Sequence, residues 1–181
     1  MSQELREGVR AAYSRAAAAP GEKHPFPVGA ELAESLGYAR PLLNDHPLAA
    51  DAFAGVSCLP GFAEVDARMT VLDVGCGAGL DSLAIGPRVK RMIGLDFSAE
   101  MLARASAHLP VVQGDAERMP FADGAFDAAI ANGIFNLNPR RAEIFAELAR
   151  VVRPGGRVWG AELILTGALD EEARSRASWF A

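Results

Sequence analysis

Three glycines at alternate positions, closing an apolar run, constrain this chain more than any other feature. Val71, Leu72, Asp73 and Val74 read as a buried strand, and Gly75-Cys76-Gly77-Ala78-Gly79 ends it abruptly. A helical pattern begins at Leu80. A strand-to-helix turn with few Cβ atoms lets a ligand approach the backbone closely. The next apolar run, Arg91-Met92-Ile93-Gly94-Leu95, ends on Asp96. Glycine turn, helix, strand and terminal acid follow the order in which an α/β protein holds an adenosine-containing ligand.

The same alternation continues along the chain. Strands are expected at 71–75, 91–95, 111–113, 126–131 and 157–164. Helices are expected at 80–85, at 99–108 with Ser98 as N-cap, and at 140–151, closed by Arg153-Pro154-Gly155-Gly156. Strands alternating with helices imply a doubly wound, Rossmann-like parallel sheet with right-handed crossovers. Residues 170–179 also read as helical. Ahead of the first strand, an Ala-rich helix at 3–19 ends at Pro20-Gly21, and Pro25 and Pro27 exclude regular structure around them. Short helical stretches follow at 30–36 and 47–54. The expected organisation is one globular domain, with a helical lid segment at 1–67 and the sheet core at 68–181.

Composition sets limits on partners. Of 181 residues, 50% are hydrophobic and 23% charged, as in soluble globular proteins. A net charge of -5 argues against a nucleic-acid partner, and the basic cluster Arg88, Lys90 and Arg91 reads as a solvated turn. No apolar run has the length of a membrane span, so no membrane partner is expected. The N-terminal residues lack the basic-then-apolar order of a secretory signal. Of the two cysteines, Cys76 sits in the glycine turn, so both are expected to be reduced and the protein cytoplasmic. No metal site is expected.

The glycine spacing is G-x-G-x-G, one residue tighter than the dinucleotide fingerprint. Asp73, two residues before Gly75, can point back at the turn and receive an ammonium group. A pyrophosphate would be repelled there, whereas the aminoacyl end of S-adenosylmethionine would be attracted. Asp96 suits a bidentate contact to ribose hydroxyls. Asp115, after the third strand, can accept from an adenine amino group while the Ala116 N–H donates to the ring.

Four motifs in order, VLDVGCGAG, GLDFSAEMLARA, GDAERMPFADGAFD and LARVVRPGGRV, resemble those of the class I S-adenosylmethionine-dependent methyltransferases over residues 68–165. The resemblance implies S-adenosyl-L-methionine as cofactor. It places the methionine moiety at Asp73, Gly75, Cys76, Gly77 and Gly79, the ribose at Asp96, and the adenine between Phe97, Met101, Asp115 and Ala116. A more distant likeness, carried by Phe53–Cys58 and Asn132–Leu137, is to the arsenite methyltransferase branch. Cys58 stands where that branch has an arsenic-binding cysteine, but Gly133 stands where it has another. One thiol does not provide the several sulfur donors that arsenic(III) needs, so arsenite is not the expected acceptor.

The segment after the fourth strand, Ala131-Asn132-Gly133-Ile134-Phe135-Asn136-Leu137-Asn138, borders the crevice beside the cofactor. Asn132 is the candidate for contact with cofactor or substrate, and Asn138 for capping the following helix. In the lid, His24 or His46 is the candidate general base for an oxygen or nitrogen nucleophile. Class I sheets end in an antiparallel strand pair after the fifth strand, and this chain ends at Trp179-Phe180-Ala181. Either that pair has been lost or the sequence is a fragment of a longer ancestor; a five-stranded sheet would leave strand 157–164 at an edge that 170–180 or a second subunit would cover. A homodimer through that edge would use Trp179 and Phe180 as anchors. The expected function is in-line methyl transfer to a small-molecule acceptor. The alternative is a cofactor-binding protein without turnover.

Overall fold

The computed structural model describes residues 2–105, 107–164 and 166–167. Four helices come first: α1 (Ser2–Ala18), α2 (Ala30–Leu36), α3 (Arg40–Asp45) and α4 (Pro47–Asp51). The alternating part follows as β1 (Thr70–Val74), α5 (Leu80–Ile85), β2 (Arg91–Asp96), α6 (Ala99–Ala105), β3 (Val111–Gln113), β4 (Phe126–Asn132), α7 (Arg141–Val151) and β5 (Val152–Ala161). The sheet order is β3-β2-β1-β4-β5, with every neighbouring pair parallel. From β1 the chain steps outward to β2 and β3, then returns to the other side of β1 as β4. That reversal opens a crevice at the carboxyl ends of β1 and β4.

Strand residues alternate between two packed faces. Leu72, Val74, Ala129 and Ala131 pack with Ile144, Leu148 and Val151 of α7. Val71, Ala128 and Ile130 pack with Leu59, Ile85 and Met92 on the opposite face. Burial on both faces explains why the inner strands read as near-continuous apolar runs. A third cluster joins Tyr38, Leu43, Ala49 and Phe53 to Leu80 and Met101, seating the N-terminal helices over α5 and α6.

Most expected elements appear within a residue or two, and the Ser98 hydroxyl accepts the Met101 N–H as an N-cap should. Three differences have local causes. The α3 helix was not anticipated, because six residues with Pro41 in the first turn are too few to show a period. The α6 helix ends at Ala105, where the Ala105 carbonyl takes the N–H groups of His108 and Leu109. The β5 strand begins at Val152, opposite Phe126, loops out and resumes with Arg157 opposite Ala128. Arg88 is exposed in the turn between α5 and β2, as expected, and its guanidinium donates to the carbonyls of Pro60 and Ala63, each at 2.9 Å.

The β5 strand is an edge of the described sheet, and Val158, Leu163 and Ile164 near it are exposed. The expected helix at 170–179, with Trp179 and Phe180, lies outside the described residues. No described helix is long and apolar enough to cross a membrane.

Candidate functional site

The glycine turn adopts the conformation its residues allow. Gly75, Gly77 and Gly79 have φ of 72°, 53° and 89°, a left-handed backbone that side chains with a Cβ avoid. The turn is anchored from β2: the Leu95 carbonyl accepts from the N–H groups of Gly75 (2.8 Å) and Cys76 (3.0 Å). Asp96 completes the anchor. Its Oδ2 accepts from Gly77 N–H at 2.9 Å, and its Oδ1 accepts from Ser98 N–H at 2.8 Å. Burial pushes the Asp96 carboxyl above the ordinary range, while these backbone donors pull it back.

A cavity of about 710 Å³ opens above this turn. The adenosine-side candidates Asp96, Phe97, Met101, Asp115 and Ala116 all stand on its wall, contributed by the ends of β2 and β3 and by α6. Gly75, Cys76, Gly77 and Gly79 form its floor. Cys76 is buried with its sulfur packed toward Gly94, where an added Cβ would lie 2.6 Å from Sγ. Burial pushes its thiol well up, so it remains protonated.

Asp73 is the exception. It is 2% exposed and is not on the cavity wall. The Ser82 hydroxyl donates to its Oδ2 at 2.6 Å. Burial, then the nearby Asp81 carboxylate, raise its pKa well above that of a free carboxyl group. Asp81, which sequence reasoning passed over, takes the place on the wall. Tyr38 Oη–H donates to Asp81 Oδ1, and Asn132 Nδ2 donates to Oδ2 at 2.8 Å. Burial raises the Asp81 pKa to about 6, with these two donors lowering it. In the sequence Asp81 looked like an ordinary acid in a helix's first turn, where the dipole alone justifies it. The spacing of two residues after Gly79 was the one available signal.

Asn132 also lines the cavity, but its amide is fully engaged. Its Oδ1 accepts from Val56 N–H (2.9 Å) and Ser57 N–H (3.3 Å), and its Nδ2 donates to Ser57 O (2.8 Å) as well as to Asp81. It fastens the 55–57 loop to the end of β4. The catalytic expectation for Asn132 is therefore replaced by a positioning role. The expectation of His24 as general base is corrected outright. His24 lies off the cavity wall, and its Nε2–H is committed to the Ala19 carbonyl at 2.9 Å. His46 is likewise absent from the wall, and packs edge-on to His108 with ring centroids 5.2 Å apart. Asn138 meets its expectation in part, because its Oδ1 accepts from Arg140 N–H just ahead of α7.

The N-terminal segment contributes Val9, Arg10 and Tyr13 from α1, and Phe53 and Gly55 from the loop after α4. The α1 helix is pinned to α6 through Ser14, whose hydroxyl donates to Glu100 at 2.8 Å and lies 3.2 Å from that of Ser98. Tyr13 stacks on Phe26 with centroids 4.7 Å apart. Its phenol is raised first by burial and then by the charges of Glu162 and Asp96, so it is a neutral hydroxyl.

A doubly wound parallel sheet with a glycine turn at its switch point, and an acid at the next strand tip, defines the Rossmann-like class of adenosyl-ligand folds. Comparison with known proteins narrows this class. Residues 72–160 match the family model described as a methyltransferase domain. An arsenite methyltransferase of Halobacterium salinarum is 30% identical over 154 residues, covering 78% of this chain and 39% of that protein. A demethylmenaquinone methyltransferase of Beutenbergia cavernae is 42% identical over 96 residues, covering 51% of this chain and 40% of its own length. The crystal structure of the YcgJ protein from Bacillus subtilis matches with a TM-score of 0.55 at 32% identity, over 57% of this chain and 48% of that one. The chain belongs to the class I S-adenosylmethionine-dependent methyltransferases. It spans less than half the length of either the arsenite or the demethylmenaquinone methyltransferase.

Proposed function

We propose that this chain binds S-adenosyl-L-methionine in the cavity above the glycine turn and transfers its methyl group to a small organic acceptor. The observation that carries this reading is the Asp96–Gly77 hydrogen bond, which sets a carboxylate and a Cβ-free turn side by side on one wall. Both Asp96 oxygens are oriented by backbone N–H donors at the cavity wall, where a ribose hydroxyl can donate to the carboxylate.

The residues fit the group. The cavity volume lies within the roughly 300–1,000 Å³ usual for small-ligand sites. Its wall carries Asp81, Asp96 and Asp115, which favour a cationic sulfonium ligand over a pyrophosphate. Phe97 and Met101 offer apolar surface for a purine, with Asp115 and Ala116 at its edge. When bound, the cofactor supplies an electrophilic methyl on a positively charged sulfur. The chain's own residues position the partners and exclude water, which provide most of the acceleration for an in-line displacement. In this reading residues 1–67 act as the lid, with Tyr13 and Phe53 closing the side away from the sheet.

The acceptor region is bordered by Val9, Phe53, Ala54, Ile134 and Leu137, which suits an apolar molecule. Arsenite is disfavoured within this chain. Cys58 is not on the cavity wall, and Gly133, which is, faces Val56 rather than a second thiol.

Titration calorimetry with S-adenosylhomocysteine and with NAD tests the binding half. The first should bind and the second should not; the reverse preference would sink the reading. Methyl-labelled cofactor offered with quinols, phenols, thiols and arsenite tests transfer. Label is expected in an organic acceptor, and label appearing only with arsenite would refute that acceptor class.

A further inference from the structure

The methyltransferase reading leaves open which group receives the ligand's α-ammonium, and the carboxylate that sequence reasoning chose for it is turned away. We propose that Asp81, oriented by Tyr38 and Asn132, is the carboxylate that binds the α-ammonium of the cofactor's aminoacyl end, and that Asp73 is an internal brace of the turn. This rests on the cofactor assignment above.

Position along the cavity is the first reason. The adenosine-side residues come from β2, β3 and α6, on one side of the glycine turn. Asp81 stands on the other side, joined through Asn132 to the end of β4. A ligand with its ribose at Asp96 and its chain running over the turn toward β4 reaches Asp81. Asp73 lies beneath the turn, behind Ser82.

The second reason is charge. Asp81 is 7% exposed, and its two oxygens accept from neutral donors, one phenol and one amide. Among the described residues no cation is paired with it. A buried carboxylate without a counter-charge is costly, and a ligand cation entering the cavity removes that cost. Each oxygen retains a lone pair for a further donor. Asp73, by contrast, is enclosed beneath the turn, where burial first and then the Asp81 charge raise its pKa well above the ordinary carboxyl value.

The third reason is support. Tyr38, between α2 and α3, also has its Oη 3.2 Å from Ser57 O, so the two donors that aim Asp81 both lie against the same loop. Tyr38 and Asn132 are positioning residues in this arrangement: they fix the carboxylate and leave the ammonium to it.

The test pairs a protein change with a ligand change. Binding of S-adenosylhomocysteine, of its analogue lacking the α-amino group, and of 5′-methylthioadenosine, which lacks the aminoacyl end, is measured by calorimetry on the whole chain. Wild-type protein should lose about ten- to a hundredfold in affinity when the amino group is removed. Asp81→Asn should bind S-adenosylhomocysteine about that much more weakly, bind methylthioadenosine as wild type does, and be nearly indifferent to the amino group. An unchanged penalty for removing the amino group in Asp81→Asn overturns the proposal. Failure of the wild-type protein to bind any of the three ligands overturns the methyltransferase reading instead.

Asn at position 81 keeps an acceptor for Tyr38 or for Asn132 but not both, so this variant is at risk of misfolding. A wild-type titration avoids the risk. The groups facing Asp81 are Asp73 from β1, Tyr38 from the α2–α3 connection, and Cys58 from the loop before β1. Lowering pH from about 7.5 to about 5 crosses the Asp81 pKa of about 6. The affinity ratio of S-adenosylhomocysteine to methylthioadenosine should fall severalfold, while effects at Asp96 cancel in the ratio. A ratio that does not move overturns the proposal.

Discussion

The Ser82 hydroxyl donates a 2.6 Å hydrogen bond to Asp73 Oδ2, and through it the carboxylate of β1 is tied to α5 beneath the glycine turn. The bond joins the strand entering the turn to the helix leaving it, so the turn is braced from below as well as from β2. It also explains why an acid so close to the ligand cavity is not on its wall.

Ser82→Ala removes the donor and leaves Asp73 enclosed without it. A buried polar group deprived of its partner costs about 1–3 kcal/mol. Urea denaturation should show a loss of that size, with S-adenosylhomocysteine affinity changed less than threefold. A large loss of affinity at unchanged stability would place Asp73 in direct contact with the ligand.

Asp81 makes stability pH-dependent in a definite direction. Its pKa is raised in the folded protein from 3.8 to about 6, first by burial. An acid held above its unfolded value opposes ionisation, so folding loses stability as pH rises from about 4 to about 6 and no further above that. The free energy of unfolding of Asp81→Asn minus that of wild type should therefore grow across this window and then level off. A difference flat with pH would contradict the raised pKa.

Asn132→Ala strips donors and acceptors from Val56, Ser57 and Asp81 together. The protein should lose about 1–3 kcal/mol and the 55–57 loop should exchange its amide hydrogens faster. Hydrogen exchange read by mass spectrometry checks this. Protection unchanged at Val56 and Ser57 would mean the loop is held by other contacts.

Gly75→Ala combines two costs that a second substitution separates. The added Cβ would collide with Ile134 Cγ2, and φ of 72° is itself unfavourable for alanine by about 1–2 kcal/mol. Ile134→Ala in the same chain should restore the part due to crowding and leave the backbone part. Full recovery in thermal melting would show that the left-handed conformation carries no cost here.

Asp96→Ala removes an acceptor from Gly77 and Ser98 and from any ribose in the cavity. Affinity for S-adenosylhomocysteine and for adenosine should fall together by at least about tenfold. A fall for one ligand alone would move Asp96 away from the ribose.

Much of the fold was legible because the relevant signals are local. The run Val71–Val74, the glycine turn and the Ser98 cap are determined by neighbours in sequence, and each appeared where expected. The β5 start was missed because the Arg153–Gly156 loop-out depends on what lies opposite in β4. Gly156 packs against the Asp127 carbonyl too closely for a Cβ to fit, a constraint visible only across strands. His24 misled because its chemistry suits a base, while its position is set by a bond to Ala19 that sequence does not show.

The sequence by itself determined the doubly wound order, the glycine turn and the acid at the tip of β2, because period, backbone freedom and strand ends are properties of short segments. Only the tertiary structure decided which of two acids eight residues apart faces the cavity. Asp73 and Asp81 are equivalent as residue types. A serine one turn of chain beyond the glycines encloses the first, and a tyrosine and an asparagine from distant segments hold the second on the cavity wall.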